Sequence, residues 1–213
     1  MIYSQKFVWL HFPKCAGSKI EQLFKTYFSH QEDIFQDVIE TEKDSSFSWH
    51  DSIADREARD PAFRLGDRMV ICPFRKLPFW LESRYNFEAQ RNPHLPHRPE
   101  ILLEGKFLEA NGMENHADVY VQKYLPPAIL KSGKVRFLRT EYFEQDFKSI
   151  FGEFLDLSRI PPWEYQSLIN ASAKHLPEKV RRRLYEEPRK VYQQCPEWRV
   201  IEEMAYGTQA GVS

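Results

Sequence analysis

The chain has no excess of charge of either sign. Thirty lysines and arginines stand against 31 aspartates and glutamates, a net charge of −1 over 213 residues. No global field draws it to nucleic acid or to an anionic membrane surface, so any anion it binds is bound locally. Cysteine is scarce: Cys15, Cys72 and Cys195 are odd in number and far apart, which gives neither a disulfide framework nor a paired-cysteine metal motif. No apolar run reaches the roughly 18 residues of a membrane span. The opening stretch MIYSQKFVWLHF lacks the charged, apolar and small-residue order of a signal peptide, so a reducing cytoplasm is the expected location. Internal repeats and low-complexity tracts are missing too. What is present is apolar content of 42%, with 15% aromatics, enough for a packed core. The length suits one domain covering 1–213.

The most informative stretch is residues 7–28, FVWLHFPKCAGSKIEQLFKTYF. Phe7, Val8, Trp9 and Leu10 read as a buried strand. Ile20, Leu23, Phe24, Tyr27 and Phe28 follow the i, i+3, i+4, i+7, i+8 spacing of one buried helix face. Lys19, Glu21, Gln22, Lys25 and Thr26 fall on the opposite, solvated face. Between strand and helix lies Pro13-Lys14-Cys15-Ala16-Gly17-Ser18. A small-residue turn opening a helix leaves the first N–H groups unpaired, and with a lysine and a hydroxyl beside them it is suited to phosphate or sulfate. The turn departs from the nucleotide-binding P-loop pattern: Phe12 stands where the first glycine would be, and Gly17 is followed by Ser18-Lys19.

A second buried strand is expected at residues 68–73, RMVICP, followed by a long helix in which Leu77, Leu81 and Tyr85 align. Arg75 lies at that strand's end and Ser83 eight residues further on, a pair able to grip a second phosphate, the guanidinium through paired charge-assisted bonds. Elsewhere a short strand is expected at 34–39, a surface loop at 40–46, and a short helix at 49–59 stopped by Asp60-Pro61. Helices are expected near 100–110, 115–125, 177–193 and 197–206, and a third strand at 135–138. The helix after that strand presents Phe143, Phe147, Ile150, Phe151 and Phe154 on one face. Strands alternating with helices argue for an α/β fold with a mainly parallel sheet, whose ligands bind beyond the strands' carboxyl ends.

These motifs together resemble the sulfotransferases that use 3′-phosphoadenosine 5′-phosphosulfate (PAPS). FVWLHFPKCAGS looks like the family's 5′-phosphosulfate loop, and MVICPFRKLPFWLESRY like its 3′-phosphate motif, R-x7-S-x-Y. VRFLRTEYFEQDF is similar to a third block, and Asn170-Ala171-Ser172 before a basic helix resembles the carboxyl-terminal region. The sequence departs from the family at Lys19, where a small hydroxyl residue is usual, at Pro78, where the proline is displaced, and at Trp80, where a second arginine is common.

The resemblance implies a P-loop NTPase-like three-layer fold with a central, mainly parallel sheet. It implies sulfuryl transfer to an acceptor hydroxyl, with a carbohydrate or small molecule as partner, no nucleic acid and no required metal. Carried residue by residue, it assigns Lys14, Cys15, Ala16, Gly17, Ser18 and Lys19, with Arg75 and Ser83, to PAPS binding. Lys14 also stabilises the leaving group. His50 is the favoured general base, with His11 as competitor and Glu40 and Glu42 as weaker candidates. His94 and His97 read as loop residues rather than metal ligands, and Lys179, Arg181, Arg182 and Arg183 as a solvated helix face. A nucleotide kinase using Gly17-Ser18-Lys19 as a degenerate phosphate loop, and a PAP- or PAPS-binding module without catalysis, are the alternatives.

Overall fold

The computed structural model describes residues 1–37, 48–167 and 173–207. In chain order the elements begin with strands β1 (Ile2–Tyr3) and β2 (Phe7–Trp9), helix α1 (Gly17–Tyr27) and strand β3 (Phe35–Gln36). A 3-10 turn at Ser48–His50 leads into α2 (Ile53–Arg59), then β4 (Met69–Phe74) and α3 (Leu77–Arg91). A second 3-10 turn, Pro99–Glu104, precedes β5 (Lys106–Leu108), β6 (Glu114–His116), α4 (Asp118–Tyr124) and α5 (Pro127–Lys131). The chain continues through β7 (Val135–Arg139), α6 (Phe143–Phe151), α7 (Pro162–Gln166), α8 (Glu178–Glu186), α9 (Pro188–Gln194) and α10 (Pro196–Tyr206). No helix among the described residues is long and apolar enough to cross a membrane.

The fold is α/β, with a mixed five-stranded sheet in the order β3-β1-β2-β4-β7, flanked by helices. The expectation of a mainly parallel sheet needs correcting. β2, β4 and β7 run parallel, with Trp9 opposite Ile71 and Cys72 opposite Phe137, but β1 is antiparallel to both β2 and β3. The reason is local. Only Ser4-Gln5-Lys6 joins β1 to β2, and so short a link can close only an antiparallel hairpin. Its turn is fixed by Ser4, whose N–H donates to the Phe7 carbonyl and whose hydroxyl accepts from the Lys6 and Phe7 N–H groups.

The chain divides into two compact units, each made of two segments: Met1–Phe74 with Tyr124–Ile169, and Arg75–Lys123 with Asn170–Ser213. The first unit holds the five-stranded sheet. Phe7, Trp9, Ile71 and Leu138 meet Ile20, Leu23 and Phe24 of α1 and Phe147, Ile150 and Phe151 of α6 in one apolar core. Phe7 and Phe24 each set an edge-to-face contact on Phe151, with ring centres 5.6 and 5.1 Å apart. Val8, Val70 and Cys72 are buried as well, so the central strands are apolar at every position, as strands covered on both faces are.

The second unit is organised on α3, whose Leu77, Trp80 and Leu81 are buried. Trp80 packs on Trp198 and Phe107 at 4.8 and 5.1 Å. Here the helix expected near 100–110 is replaced by the turn at 99–104 and the β5–β6 hairpin, with Phe107 opposite Asn115. Gly105 ends the turn at φ +69°, where a β-carbon would stand 2.3 Å from the Cys195 sulfur. Asn111-Gly112 closes the hairpin, Gly112 at φ +83° donating its N–H to the Glu109 carbonyl. The helix expected at 177–193 is two helices, because Pro188 has no N–H to continue the first and opens the second.

Candidate functional site

β2 ends at Trp9, and the chain leaves the sheet through a tight turn in which the Phe12 N–H donates to the Leu10 carbonyl. Lys14 and Ala16 then take left-handed backbone conformations, at φ 63° and 61°. For residues carrying a β-carbon this conformation costs about 1–2 kcal/mol each. A turn built on such residues can direct successive N–H groups toward one side, as in an anion-binding nest. Gly17 and Ser18 open α1, and neither N–H has a partner among the described residues. Oriented donors, the positive end of an eleven-residue helix and the half-buried Lys14 suit a phosphate or sulfate group.

The glycine in this turn serves a different purpose from the one its sequence position suggests. Gly17 does not adopt a positive φ. It is needed for space: a β-carbon there would lie 1.9 Å from His11 Nε2. The Cys15 side chain is fully buried, which leaves its backbone as the part facing the turn. The buried thiol of neighbouring Cys72 is raised well above its ordinary value, first by burial and then by Cys15.

Lys19 and Glu21 are not on a solvated face. Lys19 is 6% exposed, its ammonium 3.4 Å from Glu164 and hydrogen-bonded to the Ser167 hydroxyl. Its N–H donates to the Ala16 carbonyl. Those contacts make Lys19 a strut between α1 and α7 and take its head group away from the turn. Glu21 reaches back to His11, with Oε1 2.9 Å from Nδ1. The partners of both charges lie outside α1, those of Lys19 145 and 148 positions away, so helical periodicity had no means of finding them. Gln22, Lys25 and Thr26 are exposed, as the pattern predicts.

The structure brings the two candidate bases together. His50 lies in the 3-10 turn before α2, its ring centre 4.4 Å from that of His11, and its Nδ1 is 3.1 Å from the His11 carbonyl. A carbonyl only accepts, so Nδ1 carries the hydrogen and Nε2 is the basic nitrogen. Its surroundings hold the turn firmly. The Tyr124 hydroxyl donates to the His50 carbonyl at 2.7 Å. Asp51 pairs with Arg59 at 2.9 Å and with Arg56 at 3.4 Å. Burial pushes the Asp51 carboxyl above its ordinary value, against the pull of those two arginines. Ser52 caps α2 in a capping box with Asp55. No local sequence pattern pairs Tyr124 with His50. Glu40, Glu42 and residues 170–172 lie outside the described residues.

Arg75 and Ser83 belong to the second unit. Arg75 follows the last residue of β4 and precedes α3, half-buried, with its carbonyl accepting from the Trp198 indole at 3.2 Å. Ser83 is half-buried in the second turn of α3. Beside it Glu82 accepts hydrogen bonds from Arg181 and from the Tyr185 hydroxyl, and burial first and Glu82 second raise that phenol. Arg181 is therefore tied to α3 rather than wholly solvated. Two departures from the family pattern have structural roles, Trp80 as a core side chain and Pro78 as an opening residue of α3. The third block's Arg139 is clamped by Asp146 through bonds of 2.7 and 2.8 Å. His97 bonds to the Asn92 carbonyl at 2.7 Å, a loop contact.

The second unit also has an open depression of about 520 Å³ lined by Glu104, Lys106, His116, Lys190 and neighbouring residues, none of them a site residue expected from sequence. Comparison with known proteins gives no match, whether to a protein family, a curated protein or a solved structure.

Proposed function

We propose that the chain is a sulfotransferase that moves a sulfuryl group from PAPS to an acceptor hydroxyl, on a fold of the P-loop NTPase-like kind. The observation that carries this reading is the turn after β2. Two strained left-handed residues, Lys14 and Ala16, lead into α1, whose first two N–H groups have no partner among the described residues. Strain of this kind persists where surrounding structure holds it, and it concentrates at ligand-binding sites.

The backbone of Cys15 to Ser18 and the Ser18 hydroxyl hold the phosphosulfate end. Lys14 neutralises the charge that builds on the bridging oxygen as its bond to sulfur breaks. His50 Nε2 takes the acceptor's proton while the acceptor oxygen forms the new bond to sulfur. The products are the sulfated acceptor and 3′-phosphoadenosine 5′-phosphate (PAP). Arg75 and Ser83 are assigned to the 3′-phosphate. Lys19, assigned to the nucleotide by resemblance, instead supports the turn through Glu164 and Ser167.

Thermal unfolding with PAP, ATP or AMP tests the reading directly. A selective upward shift with PAP is expected, since a ligand that binds only the folded state stabilises it. Lys14→Ala is expected to abolish transfer from PAPS, and His50→Ala to abolish transfer with PAP binding intact. Magnesium-dependent ATP turnover, or transfer retained by the Lys14 variant, would overturn it. PAP binding without transfer to any acceptor would leave a binding module in its place.

A further inference from the structure

The first unit contains a largely buried carboxylate that the proposed chemistry does not use. Glu21 has a side chain only 12% exposed, and the His11 side chain it faces is 10% exposed. A buried carboxylate is expensive to keep unless another group pairs with it, and the apolar core of α1 has no need of one. Its Oε1 lies 2.9 Å from His11 Nδ1, off the line of a straight hydrogen bond. The carboxylate's negative charge at that separation favours a hydrogen on Nδ1 over a bare nitrogen. The imidazole is then held in one orientation, its opposite nitrogen against Gly17 at the opening of α1. The same ring lies against His50, and the carbonyl of the same residue accepts the His50 Nδ1–H. Trp9 backs it at 5.2 Å.

We propose that Glu21 is a positioning residue: through the His11 imidazole it fixes both the opening of the anion turn at Gly17 and the pose of His50. His11 is then the wedge between turn and base rather than a rival base. A ring released from Glu21 is free to turn, and turning it disturbs Gly17 on one side and His50 on the other. The inference rests on the sulfotransferase reading for its catalytic consequence, but not for its geometry.

Nitrogen-15 NMR of histidine-labelled protein, without ligand, reads the geometry. Above the titration of the rings, the wild type is expected to show His11 and His50 each as a single species protonated at Nδ1. Glu21→Gln preserves volume but replaces an acceptor-only group with one that also donates. It is expected to convert the His11 signal into a tautomer mixture and to move that of His50. In the same variant transfer from PAPS is expected to fall at least tenfold and PAP affinity by a smaller factor, with the thermal midpoint unchanged. A merely structural role would lower binding and rate together with thermal stability.

A wild-type His11 protonated at Nε2, or histidine signals unmoved in Glu21→Gln, overturns the proposal. So does an undiminished transfer rate once the tautomers have changed. Should wild-type protein show neither PAP binding nor transfer, the sulfotransferase reading fails while the NMR result still decides the link from Glu21 to His50.

Discussion

Gly17 shows why a residue's identity and its reason need separate arguments. A glycine in a strand-to-helix turn is usually there for its backbone freedom. Here that freedom is used at Lys14 and Ala16, which have none to spare, and the glycine makes room for a histidine ring. Gly17→Ala forces the ring or the helix opening to move. Overpacking of this kind costs about 1–3 kcal/mol. Urea denaturation is expected to show that loss, and calorimetry a weaker PAP affinity than in the wild type. Full stability and affinity in Gly17→Ala would mean that His11 moves aside easily and does not brace the turn.

At the level of elements, the end of β7 is tied down twice. The Thr140 hydroxyl donates to the Phe74 carbonyl at 3.0 Å, linking the ends of β7 and β4. Asp146, 6% exposed in the first turn of α6, accepts from the Arg139 N–H as well as from its guanidinium. The aspartate therefore joins strand to helix and satisfies a backbone donor together with a charge. Removing one member of a buried pair costs about 3–5 kcal/mol. With the Arg139 side chain 24% exposed, water recovers part of that, and about 2 kcal/mol is expected for Asp146→Asn. Chemical denaturation measures it. A loss below about 0.5 kcal/mol would place the pair among ordinary surface bridges.

At the scale of the molecule, alkaline pH is the condition that exposes its burial pattern. Burial pushes the Cys195 thiol from 9.0 to about 12 and the Tyr120 phenol from 10.0 to about 12, and raises the Cys72 thiol. Each group keeps its proton in the folded chain at a pH where the unfolded chain has lost it. Their contribution to stability is whole below pH 9 and declines as pH rises from about 9; that of Cys195 and Tyr120 is gone once both ionise in the folded chain, near 12. Each fully titrating group accounts for about 1.4 kcal/mol per pH unit. Urea midpoints at pH 8 and 10.5 are expected to fall markedly, and less steeply in Cys195→Ala. An unchanged midpoint would show that these groups ionise as readily folded as unfolded.

Features that depend on short-range period and punctuation can be read from the residues alone. The β2–turn–α1 unit, the strands at β4 and β7, and the apolar face of α6 were legible because each repeats its pattern within one element. The tertiary structure alone decided what depends on partners far along the chain. It put a turn and the β5–β6 hairpin where a helix was expected near 100–110, with Gly105 close against the Cys195 sulfur. It buried Lys19 against a carboxylate 145 positions away and drew Glu21 to His11. It also set His50 on the His11 carbonyl and under the Tyr124 hydroxyl. Periodicity reports which face of an element is apolar, but the partner of a buried charge is chosen by the packing of other elements, and that information is not local.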